Sequence, residues 1–312
     1  MTERPEQEEQ EVAAALERVA QTRRNFLKTV GTAAAGGAAL GTAACGDNDA
    51  WEAYFQSHYL QLSEADKERI FARLEQQTRD RYGVDVHIAD PKPLDGVEYA
   101  YALNLTYCIG CRRCEFACAR ENNTSRDPEI HYIRVMEMEK GSLDVEQSEH
   151  YYEGQVPREG SFYMPVQCHQ CENPPCVRAC PVQATWREPD GIVVVDYNWC
   201  IGCRYCEAAC PYWARRFNFA EPGIRASEIN PHQSYLSNRL RPIGVVEKCT
   251  YCLHRTREGR YPACLEVCPT GARKFGNVLD QGSEVRRIIE TKRVYVFKED
   301  LGTYPRFYYF FD

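Results

Sequence analysis

The hydrophobic pattern of this chain is helical near its N-terminus and gives way to short, turn-rich pieces. Residues 26–44 form a weakly apolar stretch of mostly Ala, Gly and Thr, interrupted by Lys28. Residues 51–82 read as helical. Ser63-Glu64-Ala65-Asp66 matches a capping box, Ile70, Phe71 and Leu74 follow at helical spacing, and Gly83 supplies a stop. Val84 to Ile88 alternates as a short strand, and Asp90-Pro91-Lys92-Pro93 breaks the chain. From Tyr99 to about Gly276 the elements are short and divided by turns and prolines, the clearest being a strand over 191–196 after an Asp-Gly turn. The tail, residues 293–297 and 306–311, is aromatic and is expected to pack back on the core or onto a partner.

This pattern divides the chain into a signal region (1–45), a helical adaptor (46–95), a cysteine-rich domain (96–277) and a C-terminal strand and aromatic tail (278–312). The fold class is α+β. The adaptor suits packing or docking better than chemistry, and its His58 and His87 are expected at the surface or in packing contacts. A membrane-spanning helix needs roughly 20 predominantly apolar residues. The stretch 26–44 is too weakly hydrophobic for a good anchor but normal for the h-region of an export signal.

Composition changes the picture in two ways. The formal charge of −7 argues against nucleic acid as a partner, because phosphate binding needs a basic face. The 17 cysteines are clustered, and the clustering carries more than the total. Sixteen fall in four groups: Cys108, Cys111, Cys114 and Cys118; Cys168, Cys171, Cys176 and Cys180; Cys200, Cys203, Cys206 and Cys210; Cys249, Cys252, Cys264 and Cys268. Pro follows the last cysteine in three groups, whereas Ala119 follows Cys118.

Two residues between cysteines make a tight loop that aims successive thiolates at one iron–sulfur cluster and turns backbone N–H groups toward its sulfurs. The fourth cysteine, three residues further on, is expected to open a helix leading to a neighbouring cluster. A following Pro suits the first turn of such a helix. Crossover between adjacent groups then predicts the ligand sets. Groups two and three pair as in a two-cluster ferredoxin: Cys168, Cys171, Cys176 with Cys210, and Cys200, Cys203, Cys206 with Cys180. Groups one and four pair across that insert: Cys108, Cys111, Cys114 with Cys268, and Cys249, Cys252, Cys264 with Cys118. Every set has four thiols, which predicts four [4Fe–4S] clusters and no three-iron cluster.

Two other uses of sixteen thiols are weighed. CxxC pairs suit zinc sites of four thiolates, but zinc gives no reason for the third cysteines or the Cys-Pro endings. Disulfides are the default for an exported chain, but bridging within a CxxCxxC loop is strained. His169 and His254, beside cluster cysteines, are not expected to ligate, since every set already has four thiols; tuning a cluster by hydrogen bonding is the sharper alternative for them.

The stretches CIGCRRCEFAC, CHQCENPPCVRACPVQATW, DGIVVVDYNWCIGCRYCEAACPYWARRFN and VEKCTYCLHRTREGRYPACLEVCPTGARKFG resemble the four-cluster iron–sulfur subunits of polysulfide, DMSO and nitrite reductase systems. Residues 22–28, TRRNFLK, are similar to a twin-arginine export signal at Arg23 and Arg24. With that signal the chain looks closest to exported members, such as the subunits of sulfite-reduction-associated membrane complexes and a hydrogenase electron-transfer subunit. The resemblance covers roughly 95–312. It implies two interleaved ferredoxin-like modules, the inner at about 161–222, forming an electron wire. It also implies a polytopic, quinone-reactive membrane partner of the NrfD type.

The expected function is an electron-transfer subunit, periplasmic and membrane-associated through its partners. It would relay electrons between the membrane subunit and a molybdopterin enzyme, hydrogenase or multihaem cytochrome. The chain has no GxGxxG loop, no phosphate-cradling P-loop and no spare Cys–His pair for covalent chemistry, which argues against a substrate site of its own. An enzyme with cluster-based reductive chemistry, or a structural zinc module, are the alternatives. Cys45, preceded by Thr42-Ala43-Ala44, is a candidate lipidation site.

Overall fold

A computed structural model describes residues 58–312. The expected export signal at Arg23 and Arg24, the candidate lipid site Cys45 and the first residues of the expected helix over 51–82 lie outside the described residues.

Within the described part, Tyr59–Gln61 is one turn of 3-10 helix, Leu62 is extended, and the α-helix runs Glu64–Tyr82. The helix therefore starts later than its periodicity suggests. Ser63 is the N-cap, its side chain accepting from the Asp66 N–H while the Asp66 carboxylate accepts from the Ser63 N–H. This reciprocal pair satisfies two donors that a continuing helix would not leave open. Gly83 closes the helix at φ 66°. The strand His87–Ala89 pairs in parallel with His232–Ser234, and Phe71 packs on Tyr235, so the adaptor lies on a loop of the cysteine-rich part. His58 reaches the carbonyl of Gln183 at 3.1 Å and packs against Trp186 and Trp199, whereas His87 is exposed.

The largest sheet has four strands in the order Arg273–Asn277, Tyr99–Asn104, Phe307–Phe310, Val294–Tyr295. The tail folds back: Phe307–Phe310 runs parallel to Tyr99–Asn104, with Phe307 beside Tyr101. Phe307 and Tyr309 are wholly buried, and the Phe307 ring stacks on Tyr101 at 5.0 Å and on His169 at 5.1 Å. The remaining strands form two-stranded pairs: Arg134–Glu139 with Ser161–Val166, Thr185–Arg187 with Val193–Val195, and Arg215–Phe217 with Val246–Lys248. Short strands and one-turn helices cannot bury a broad apolar face. The core is accordingly built from Tyr, Phe, Val and Met side chains wrapped around the buried thiols. Among the described residues no helix is long and apolar enough to cross a membrane.

Candidate metal centres

The strand pairs determine which cysteines meet. Cys108 follows Tyr99–Asn104 closely in sequence, and Cys268 shortly precedes Arg273–Asn277. The antiparallel pairing of these strands, Tyr101 opposite Phe275, brings groups one and four together. In the same way Thr185–Arg187 follows Cys180 and Val193–Val195 precedes Cys200, and their pairing joins groups two and three.

Three full sets of thiols result, and a fourth complete but for Cys203. Cys108, Cys111, Cys114 and Cys268 line one small cavity with Thr270 and Arg273. Cys168, Cys171, Cys176 and Cys210 line another with His169, Tyr212 and Arg215. Cys118 lies in the electrostatic field of Cys249, Cys252 and Cys264, and Cys206 in that of Cys200 and Cys180. Cys108 to Cys268, the sixteen of the four groups, are all free thiols. Tetrahedral zinc would draw four sulfurs to about 2.3 Å from one ion. Among the described residues, no three or more Cys, His, Asp or Glu side chains are grouped for a single ion.

Backbone hand shapes each loop. Gly110, Gln170, Gly202 and Tyr251, each two residues after the first cysteine of its group, have φ between 44° and 72°. Such turns aim successive N–H groups into one concavity. The Gly110 N–H donates to Cys108 Sγ, and the Tyr251 N–H donates to Cys249 Sγ at 3.4 Å. A side chain at Gly110 would overlap the Tyr163 ring, and one at Gly202 would overlap the Gly244 carbonyl.

The expectation that the fourth cysteine opens a helix is corrected. The one-turn helices Pro175–Arg178, Tyr205–Ala208 and Ala263–Glu266 carry the third cysteines, and Cys180, Cys210 and Cys268 come after the helix has ended. The following prolines lack an N–H and would clash with the preceding turn, so they stop the helix instead of starting one. Where Ala119 replaces Pro, the helix Arg113–Glu121 continues through both Cys114 and Cys118.

Burial dominates the thiol chemistry. It pushes Cys108, Cys171 and Cys252 up to about 12 and Cys206 up to about 11. Cys268 moves the other way: burial opposes this, but the Thr270 hydroxyl and the N–H groups of Thr270, Arg273 and Ala272 outweigh it. The thiols raised by burial are neutral when free at pH 7, so their ligation of a metal group must release protons.

The sets also adjoin one another. Besides burial and the pull of Arg273, Cys114 feels the charge of Cys264. Besides burial, Cys249 feels Cys168, and Cys206 feels Arg215 and Cys176. Set one (Cys108) thus borders set two (Cys249), set two borders set three (Cys168), and set three borders set four (Cys200).

The side chains bonded to the sulfurs are mostly ones that sequence reading missed. The Arg215 guanidinium donates to Cys176 Sγ at 3.1 Å and that of Arg273 to Cys114 Sγ at 3.2 Å. The Asn122 amide donates to Cys118 Sγ at 3.5 Å, and the Tyr101 hydroxyl is 3.4 Å from Cys264 Sγ. The available signal was Cys-Pro-x-x-x-Arg, which occurs in groups three and four alone among the four. Neither histidine weighed for tuning is bonded to a sulfur among the described residues, although His169 lines the cavity of Cys168, Cys171, Cys176 and Cys210 and its buried Nδ1 has no hydrogen-bond partner. His254 bonds Glu121 at 2.8 Å and Ser237 at 3.1 Å. His169 is stacked on Tyr212 at 4.0 Å, and its Nε2 meets the Tyr309 hydroxyl at 3.4 Å.

Comparison with known proteins identifies the family. A family model described as a 4Fe-4S dicluster domain matches residues 160–227 and 226–278. The sequence is 38% identical to a selenate reductase subunit of Mesobacillus selenatarsenatis, over 72% of this protein and 76% of that one. It is 35% identical to the iron–sulfur cluster-binding subunit of menaquinone reductase of Nitratidesulfovibrio vulgaris, over 68% and 88%. With a polysulfide reductase polypeptide of Wolinella succinogenes the identity is 34%, over 64% and 87%. The protein therefore belongs to the family of 4Fe–4S iron–sulfur subunits that carry electrons within respiratory reductase complexes.

Proposed function

We propose that the protein is a four-cluster electron wire, with [4Fe–4S] clusters held by Cys108, Cys111, Cys114 and Cys268; by Cys249, Cys252, Cys264 and Cys118; by Cys168, Cys171, Cys176 and Cys210; and by Cys200, Cys203, Cys206 and Cys180. The observation that carries this reading is the convergence of groups one with four and two with three through their strand pairs, with Cys108, Cys111, Cys114 and Cys268 lining one cavity and Cys168, Cys171, Cys176 and Cys210 another. The clusters supply one-electron carriers. The chain spaces them through its strand pairs, excludes water with the buried Tyr and Phe side chains, and directs N–H and guanidinium donors at the sulfurs.

One end of the wire serves a quinone-reactive membrane subunit of the NrfD type. The other serves an extracytoplasmic redox subunit, either a molybdopterin enzyme, a hydrogenase or a multihaem cytochrome. The relatives that are named subunits of selenate, polysulfide and menaquinone reductases support a multisubunit setting. The domain layout follows the same reading, with an inner module at about 161–222 inserted in an outer one. The twin-arginine pattern at Arg23 and Arg24 supports export after folding, because clusters built in the reducing cytoplasm can be sealed before they meet oxidant. Cys45 is the site at which a lipid would anchor the mature chain.

Iron and acid-labile sulfide assays test the count, with roughly sixteen of each expected per chain for four clusters. Cys268→Ser and Cys180→Ser should each perturb one cluster signal in the electron paramagnetic resonance spectrum and leave the other three. A colourless protein with zinc and no labile sulfide would overturn the reading. Co-purification from mild detergent identifies the partners, and a catalytic subunit without any membrane protein would remove the quinone assignment. Arg23→Lys with Arg24→Lys should strand cluster-loaded protein in the cytoplasm.

A further inference from the structure

Three cations are buried at the junctions between successive thiol sets, and none of them is ion-paired with a carboxylate among the described residues. Arg273 lies between sets one and two. Its Nη2 donates to Cys114 Sγ at 3.2 Å, its Nη1 to Gln167 Oε1 at 2.8 Å and to the Tyr101 hydroxyl at 3.4 Å, and it also feels the charge of Cys264. Lys248 lies between sets two and three. Its ammonium donates to the carbonyls of Cys249, at 2.6 Å, and Val193, and Cys249 in turn borders Cys168. Arg215 lies between sets three and four. Its Nη2 donates to Cys176 Sγ at 3.1 Å and to Thr185 Oγ1 at 2.9 Å, and it feels the charges of Cys176, Cys206 and Cys168.

All three are at most 3% exposed. Burying a cation without a counter-charge is among the most costly arrangements in a fold. Elsewhere, Arg241 pairs with Glu247 at 2.6 Å and Arg257 pairs with Asp190 at 2.7 Å and with Glu188, while Arg239, also buried without a carboxylate, lies over the faces of Tyr197 and Tyr235. At the junctions Arg215 and Arg273 instead bond cysteine sulfurs, and Lys248 bonds the Cys249 carbonyl. Arg215 even leaves Nε and Nη1 without a hydrogen-bond partner, while its side chain lines the cavity of set three. The placement is also repeated by the fold. Arg215 and Arg273 each begin the strand that follows a Cys-Pro, and the matching position after Cys180 is Thr185, which accepts the bond from Arg215.

We infer that Arg273, Lys248 and Arg215 are the internal counter-charges of the wire, one per junction. They raise the reduction potentials of the clusters they border, so that an electron in transit always lies next to a fixed positive charge. This inference rests on the cluster-ligand reading above. Each hop oxidises one cluster and reduces the next by one electron, with no bond made or broken, so a stationary cation suffices. These are positioning residues: they hold charge beside the ligands and ligate nothing.

The test is a redox titration of the purified holoprotein, followed by electron paramagnetic resonance, for Arg215→Gln, Lys248→Gln and Arg273→Gln. Each variant is expected to keep the parental iron and sulfide content while one bordering cluster binds its electron about tenfold more weakly, a fall of roughly 59 mV for a one-electron couple. Arg215→Lys and Arg273→Lys keep the charge and should recover most of that fall. They also serve as the measurement if a Gln variant fails to load its clusters. Full cluster content with no midpoint changed by as much as twofold in electron affinity would overturn the inference while leaving the electron-wire reading intact. A parental protein without iron and labile sulfide would instead overturn that reading, and this inference with it.

Discussion

Two glycines near the thiols make a controlled comparison of backbone strain against steric overlap. Gly202, between Cys200 and Cys203, has φ 69°, and Gly271, shortly after Cys268, has φ 65°. Alanine at either position is held in the left-handed region at about 1–2 kcal/mol. At Gly271 that is the whole cost, because nothing lies within 4 Å of the new Cβ. At Gly202 the methyl would overlap the Gly244 carbonyl oxygen and sit 3.0 Å from both the Gly244 carbonyl carbon and Phe217 Cε2. The obstacle is backbone, so it cannot rotate away, and overpacking of this kind adds about 1–3 kcal/mol. Gly202→Ala should therefore be worse than Gly271→Ala by about 2 kcal/mol, or roughly 30-fold in a rate. Because loss of iron makes unfolding irreversible, the assay is the rate at which visible absorbance bleaches in denaturant, extrapolated to water. Equal bleaching rates for the two variants would refute the claim that the loop around Cys203 is packed against a fixed backbone.

Three other outcomes follow from named contacts. Phe307→Ala should cost about 3–5 kcal/mol, because a wholly buried ring stacked on Tyr101 and His169 is lost, whereas Phe311→Ala, at an exposed position, should stay within about 0.5 kcal/mol; thermal unfolding compares them. Glu247→Ala leaves Arg241 buried and unpaired and removes the acceptor of the Tyr132 hydroxyl, so a loss of about 3–5 kcal/mol is expected, while replacing the pair together should restore part of it in a double-mutant cycle. Asp90 is held below the usual carboxylate range: burial opposes this, but Lys92, the Tyr59 hydroxyl and Lys67 outweigh it. Its stabilisation is thus present above the unfolded value of about 3.9 and lost as pH falls through the lower folded value. Amide exchange in Glu64–Tyr82 should show a constant deficit for Asp90→Asn from pH 8 to 5 that shrinks below about pH 4.

Much of the site was legible because its chemistry is local. Cys-x2-Cys repeats state a ligand type and a loop geometry within a dozen residues, and the capping box at Ser63 and Asp66 is equally short-range. The predicted strand over 191–196 is present as Val193–Val195, and the aromatic tail does return to the core. What failed was also local but subtler. The Cys-Pro step could be read as the start of a helix or its end, and only the preceding turn, with Cys176, Cys206 or Cys264 inside it, decides between them.

By itself, the sequence determined the kind of chemistry: sixteen thiols in four repeated groups, whose spacing dictates loops that face a metal group. Only the tertiary structure decided what stands between the groups. Along the chain the Cys-Pro-x-x-x-Arg spacing repeats Arg215 and Arg273, but nothing nearby in sequence marks them or Lys248 as buried. They gain their meaning when Arg215–Phe217 pairs with Val246–Lys248 and Arg273–Asn277 pairs with Tyr99–Asn104, and the charges of Arg215 and Arg273 come next to sulfurs distant in sequence, those of Cys176 and Cys114. Charge acts through space, and only the fold specifies that separation.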